Sequence, residues 1–105
     1  MILDASVAAH WFVKSEFTAA AAPFRSRRDL AAPTVLLVEV ANVLYKNVRR
    51  GALDGRQCVR NVTLLEYLLA MAVPDWTLLP QAIEPALADY HPVHDCLFLA
   101  LALEH

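Results

Sequence analysis

The chain has 105 residues, enough for one domain with a modest core, and its 58% hydrophobic and 19% charged residues exclude a disordered polypeptide. The net charge of −2 at pH 7 excludes a protein that is basic throughout, although all nine Lys and Arg residues lie within residues 14–60. The longest apolar run, residues 96–103, is too short to cross a membrane, which takes about 20 residues.

The first half of the chain alternates short extended segments with helices. "MIL" predicts a buried strand that ends at Asp4, and a helix over residues 6–14 follows it. "FTAAAAPFRSRR" predicts a second helix, which Pro23 delays or kinks. "LAAPTVL" predicts a short extended segment before a long helix over residues 34–50, which Gly51 ends.

The second half continues this alternation. Asp54 and Gln57 have the spacing of a capping box, which predicts a helix from there to about residue 72. "DWTLLP" predicts a second strand, residues 81–90 predict a helix strained by its proline, and the last helix is expected from Asp95 onward. Strands that alternate with helices indicate an α/β domain with a parallel sheet.

The distribution of charged and apolar residues indicates partners. Basic clusters at residues 25–28 and 46–50 could attract phosphate, although each cluster alone is more typical of a solvated helix face. The apolar excess favours a surface covered by a partner or a second subunit, and we expect a homodimer. Cys58 and Cys96 lack metal-ligand spacing and the start lacks a leader pattern, so we expect reduced thiols in a cytoplasmic protein.

Asp4 and Asp95 each stand at a boundary between predicted elements. Asp4 follows a predicted strand, and ligands of α/β sheets bind at the carboxyl ends of strands. It is equally suited to be the N-cap of the helix that follows. Asp95 precedes the apolar residues of the last helix, where a cap is the better interpretation of that residue alone.

Glu39 interrupts an apolar segment inside the long predicted helix. At 100° per residue it forms a polar stripe with Asn42, Lys46 and Arg49. The stripe could simply face water, but apolar neighbours beside its first turn favour a cleft around Glu39. An isolated acid in such a place needs a cation or hydrogen-bond donors.

Taken together, the three acids suggest a metal site. Carboxylates at a strand end, an early helix turn and a helix start can converge in a sheet-based fold, and Mg²⁺ or Mn²⁺ prefers such oxygen ligands. Ser6 could cap its helix or hold a ligand, and Asn42 could orient Glu39 or bind solvent. The four histidines lack metal-ligand spacing, so we expect surface or hydrogen-bonding roles for His91 and His94.

The segments "LDASVAAHWF", "APTVLLVEVANVLYK", "RRGAL" and "HPVHDCLFLALAL" follow one another across nearly the whole chain. In this order and spacing they resemble a PIN domain of the VapC type, the toxin ribonucleases of bacterial toxin–antitoxin pairs. The resemblance implies a three-layer α/β/α fold, with a short parallel sheet flanked by helices, in a single domain over residues 1–105. It also implies hydrolysis of RNA phosphodiester bonds with one or two Mg²⁺ or Mn²⁺ ions, and a protein antitoxin as partner.

Carried over position by position, the resemblance makes Asp4, Glu39 and Asp95 the catalytic, metal-binding acids, with Ser6 and Asn42 in support. Two features depart from the family pattern. A histidine precedes the third acid where a tyrosine is common. The family also continues into a strand and a turn that carries a fourth acid, which these residues do not include, so we expect the domain to be incomplete at its C-terminus.

We therefore predict a metal-dependent endoribonuclease in which Lys46 and Arg49 attract the RNA backbone. One alternative is an inert PIN-like module that only dimerises or binds an antitoxin. A less favoured alternative is a phosphatase of another α/β family with Asp4 as nucleophile, since no second acid follows two residues later.

Overall fold

Six α-helices and two short strands lie along residues 1–104, the part of the chain that the computed structural model describes, with two helices before, between and after the strands. His105, one of the four histidines considered above, lies outside the described residues. The elements are α1 Ala5–Ala9, α2 Thr18–Ala21, β1 Ala31–Pro33, α3 Val35–Arg49, α4 Gly55–Leu68, β2 Met71–Val73, α5 Asp75–Asp89 and α6 Val93–Glu104, and a 3₁₀-helix over Ala22–Ser26 continues α2. Among these residues, no helix is both long and apolar enough to cross a bilayer.

The sheet is parallel and very short. β1 pairs with β2 in the register Ala31↔Met71, Ala32↔Ala72 and Pro33↔Val73. On the other edge of β1, the "MIL" segment forms a single parallel bridge, Ile2↔Ala31. This bridge is all that forms of the first predicted strand, because α1 begins at Ala5 and leaves little extended chain before it. The predicted α/β class with a parallel sheet is confirmed.

Helices cover both faces of this sheet. Successive residues of an extended chain point to opposite faces, and Leu3 accordingly packs in one core cluster while its neighbour Ile2 packs against the other. The first cluster joins the sheet to α1, α3 and α4, and the second joins it to α5 and α6. The sheet thus lies between two groups of helices, as the predicted three-layer arrangement requires.

The predicted strand over "DWTLLP" is wrong, because Asp75 begins α5 and the strand is β2, immediately before it. Buried residues recur every four positions on the face of α5 that packs against α6, which is a helical period: Leu78, Ala82 and Ala86. Pro80 and Pro85 both lie inside this helix, although each removes a backbone donor. Packing of the buried stripe outweighs the unfavourable prolines.

Four other helix boundaries differ from the predictions. α6 begins at Val93 rather than at Asp95, so Asp95 lies in its first turn and is not its N-cap. α1 ends at Ala9 rather than near residue 14. α2 is only one turn long and passes into the 3₁₀-helix at Ala22, because the ring of the next residue, Pro23, disfavours regular helix before it. α4 begins with the predicted capping box but ends at Leu68, because the residues that follow enter β2 and pair with β1.

The start of α3 is fixed by direct bonds to the start of α5. The Asp75 Oδ1 atom accepts a hydrogen bond of 2.9 Å from the Val35 backbone N–H. In return, the Asp75 backbone N–H donates to Thr34 Oγ1 at 3.2 Å, and the Thr34 N–H donates to the Val73 carbonyl at 2.9 Å. These bonds join the carboxyl ends of both strands to both helices, and they set the position from which α3 extends.

We predict that Asp75→Ala lowers the free energy of unfolding by about 1 kcal/mol, the usual cost of removing a side chain that caps a helix. Asp75→Asn retains an acceptor oxygen and should remain closer to the wild type. Urea denaturation measures both, with Asp89→Ala at the exposed opposite end of α5 as the control. Equal losses for Asp75→Ala and Asp89→Ala would contradict the proposed role of the cap.

Candidate metal centre

One cleft of about 310 Å³ brings together acids from three separate parts of the chain. Asp4 follows the Ile2 bridge, Glu39 projects from α3, and Asp95 lies in the first turn of α6. Its described lining consists of Ile2, Leu3, Asp4, Glu39, Asp95 and Phe98. The three sequence-predicted acids therefore share a single concave surface with an apolar floor.

Asp4 is the N-cap of α1 as well as a wall of the cleft. Its Oδ1 atom accepts a hydrogen bond of 3.2 Å from the Ser6 backbone N–H, and its Oδ2 atom accepts one of 3.0 Å from the Ser6 hydroxyl. Ser6 thus holds the carboxylate in one orientation. The capping and site interpretations of Asp4 are compatible, because one exposed carboxylate does both.

Glu39 is the most constrained of the three acids. It lies one turn into α3 and is half-buried, and its Oε1 atom is buried without a hydrogen-bond partner among the described residues. Burial raises the pKa of Glu39 above its usual value, and the nearby charges of Asp95, Asp4 and Asp75 raise it further, while His94 acts in the opposite direction. An oxygen in this state is where a cation would relieve the largest cost.

Asp95 approaches Glu39 together with the histidine that precedes it. The His94 Nε2 atom lies 3.4 Å from Asp95 Oδ1. Glu39, His94 and Asp95 each offer one ligand atom, and these three atoms lie within 4.8 Å of one another. Adjacent ligands of an octahedral ion with bonds near 2.1 Å are about 3 Å apart, so small side-chain rotations would bring the group to bonding distance. Asp4 lines the same cleft but is outside this closest group.

The other sequence-predicted residues lie further along α3. Asn42 is exposed one turn after Glu39 and is absent from the described lining of the cleft. Lys46 and Arg49 are exposed and line a separate depression of about 560 Å³. Because Lys46 is seven residues beyond Glu39, it lies roughly 10 Å from it along the helix axis. These bases belong to the same helix as the cleft but not to the cleft itself.

The PIN domain family matches the chain over residues 1–105. The chain belongs to the PIN domain family. PIN domains are typically metal-dependent nucleases. No curated protein sequence matches the chain closely enough to count as a relative.

The donor atoms of this PIN domain fit a divalent cation. The carboxylates supply hard oxygen ligands, which Mg²⁺ and Mn²⁺ prefer, and the buried Glu39 oxygen is without a protein partner in the described part of the chain. The cleft therefore already provides oxygen ligands, and what its carboxylates lack is a positive charge to compensate them.

Sequence reasoning missed two residues of this region, His94 and Asp75. The sequence placed His94 in a surface or hydrogen-bonding role because no second histidine stands at ligand spacing, although its position next to Asp95 was the available signal. Asp75 was not identified because the sequence predicts a strand over "DWTLLP", whereas Asp75 is the first residue of α5. In the fold, it caps α3 and its charge acts on Glu39.

We predict that Glu39→Gln stabilises the metal-free protein at pH 7. Because the pKa of Glu39 is raised in the folded chain, folding takes up protons between the ordinary glutamate pKa, about 4.3, and the raised value. The stability of the wild type therefore falls as the pH rises through that range, and it stays lower above it. Glutamine does not ionise, so the variant avoids this loss.

Urea denaturation in a chelator between pH 4 and pH 7.5 measures the difference. The control Glu66→Gln makes the same change on an exposed part of α4. The advantage of Glu39→Gln should grow with pH and exceed that of the control. A difference that is independent of pH, or equal in the two variants, would show that burial of the Glu39 charge has no energetic consequence.

Proposed function

We propose that this PIN domain is a metal-dependent endoribonuclease of the VapC type, the toxin of a toxin–antitoxin pair. The observation that carries the proposal is the convergence of Asp4, Glu39 and Asp95 on one cleft. Acids that served only as caps would have their oxygens bonded to backbone N–H groups at helix starts, as Asp4 is to Ser6. Instead, the least exposed of them has a buried oxygen with no partner among residues 1–104.

In this proposal, Asp4, Glu39 and Asp95 hold one or two Mg²⁺ or Mn²⁺ ions. When bound, such an ion makes water acidic enough to ionise near neutral pH and offsets negative charge on the attacked phosphate. The chain contributes the orientation of its acids: the Ser6 hydroxyl fixes Asp4, and the bonded start of α3 fixes Glu39. Asn42, exposed one turn from Glu39, is available to bind solvent or substrate beside the cleft.

RNA is the proposed substrate because positive charge continues along α3 from the acidic cleft. Lys46 and Arg49 face solvent on this helix, and Arg50 lines the same depression. Basic side chains of this kind attract the phosphate backbone irrespective of base sequence. A strand that passed from these bases towards Glu39 would place a phosphodiester near the acids while its neighbouring phosphates remained paired with cations.

An antitoxin and a second copy of the chain are the proposed protein partners. Large apolar side chains are exposed on α5 and α6, including Trp76, Leu87 and Leu103, each about three-quarters exposed. Exposed apolar surface of this extent is typical of an interaction site. The proposal therefore assigns nucleolytic chemistry to the cleft and protein binding to the outer faces of these helices.

We predict that Asp4→Asn, Glu39→Gln and Asp95→Asn each reduce RNA cleavage about 100-fold or more. Each substitution conserves shape but removes a ligand charge, and even the loss of residues that only support metal ligands costs 10- to 100-fold. The assay uses single-stranded RNA with Mn²⁺ or Mg²⁺ and, in parallel, excess chelator, which should abolish cleavage. Circular dichroism checks that each variant remains folded.

The matched controls are Asp89→Asn and Glu66→Gln, which change exposed acids outside the cleft and should cleave like the wild type. Expression of the wild type and of the two controls should arrest growth, and expression of the three cleft variants should not. An antitoxin should relieve the arrest. Full cleavage by Asp95→Asn would refute the site. Binding of RNA or antitoxin by the wild type, without cleavage under any metal condition, would instead favour the inert binding module.

A further inference from the structure

His94 is placed among the acids rather than on a separate surface. It is the second residue of α6, and one of its ring nitrogens is within 4.8 Å of ligand oxygens from both Glu39 and Asp95. The other histidine nearby, His91, lies before the helix and is exposed. Among the described residues, His94 thus contributes the nitrogen of the one group in which such ligand atoms come this close.

The contact with Asp95 leaves the imidazole available to a third atom. The distance of 3.4 Å between His94 Nε2 and Asp95 Oδ1 is longer than the usual 2.7–3.2 Å of an N–H···O hydrogen bond. Both side chains are more than half exposed, so neither is locked by packing. A cation between them would be within reach of the nitrogen, the Asp95 oxygen and a carboxylate oxygen of Glu39.

We propose that His94 is a metal ligand through Nε2, and that it makes this cleft favour nitrogen-binding ions such as Co²⁺ and Zn²⁺ over Mg²⁺. The inference rests on the proposed function of the cleft as a metal site. Carboxylates and water suit Mg²⁺ and Mn²⁺, whereas imidazole suits the later divalent metals, for which N-containing sites have higher affinity. A single imidazole among carboxylates therefore changes which ion is bound without changing the location of the site.

The test compares Co²⁺ and Mg²⁺ affinities by calorimetry in the wild-type chain, His94→Ala, His94→Asn and the matched control His91→Ala. His94→Ala should weaken Co²⁺ binding at least about tenfold, since the loss of a mere supporting residue costs that much. Mg²⁺ affinity should change by less than about threefold, because that ion gains little from imidazole. His94→Asn, which retains a polar side chain, should behave like His94→Ala, and His91→Ala like the wild type.

A spectroscopic readout identifies the ligand directly. Pulsed electron paramagnetic resonance of bound Co²⁺, one of the ions that the imidazole is proposed to favour, should show coupling to an imidazole nitrogen in the wild type and in His91→Ala, and none in His94→Ala. Persistence of that coupling in His94→Ala, or its absence from the wild type, overturns the proposal. An unchanged ratio of Co²⁺ to Mg²⁺ affinity in His94→Ala also overturns it.

The outcomes separate this inference from the proposed function. If Mg²⁺ or Mn²⁺ binds and RNA is cleaved but His94→Ala leaves ion preference unchanged, only the role of His94 is refuted. If the wild type binds none of these ions, both the metal site and the role of His94 are refuted. If Asp95→Asn weakens Co²⁺ and Mg²⁺ equally while His94→Ala affects Co²⁺ alone, the acid and the imidazole have the separate roles proposed.

Discussion

The half-buried carboxylate of Glu39 is the constraint on which the rest of this structure depends. Its Oε1 atom is buried without a partner among the described residues, and other acids face it across the cleft. Burying a charge in this way is unfavourable unless a cation compensates it. The folded chain therefore holds free energy that binding of a positive ion would release, and stability and metal affinity become linked properties of one residue.

The scaffold keeps this unfavourable arrangement in place through a small number of backbone contacts. β1 lies between the Ile2 bridge and β2, so three extended segments end at the same side of the sheet. α1 leaves this edge with Asp4 as its cap, and α3 leaves it with Val35 bonded to Asp75. The position of the acids thus follows from where the helices begin, and only secondarily from side-chain packing inside the cleft.

Much of this could be predicted from the sequence because local signals and the fold agree. The capping box of Asp54 and Gln57 marks the start of α4, and the position of Gly51 just after α3 fits its left-handed backbone conformation. Asp4 could be identified as a candidate because ligands bind at the carboxyl ends of strands. Glu39 could be identified because an acid within an apolar helix segment is costly unless a cation or a donor compensates it. Each of these inferences uses interactions within a few residues along the chain.

The remainder depended on contacts between distant residues. α5 forms despite Pro80 because its buried face packs against α6. The local sequence around Pro80 does not indicate this contact with another helix. The bond from Asp75 to Val35 joins residues 40 positions apart. The approach of His94 to Glu39 likewise brings together residues of α6 and α3 that lie far apart in the sequence. Sequence spacing within one helix therefore assigned His94 no ligand role, although the fold supplies Glu39 from another helix.

Locating a bound ion would show whether Asp4, Glu39 and Asp95 form one metal centre. A crystal grown with Mn²⁺ should give an anomalous difference peak in the cleft, about 2.2 Å from carboxylate oxygens of Glu39 and Asp95 and close to Asp4. The same experiment with Asp95→Asn should give a weaker peak or none. A well-ordered Mn²⁺ bound elsewhere on the chain, with the Glu39 carboxylate still without a cation, would contradict the claim that these acids form one metal centre.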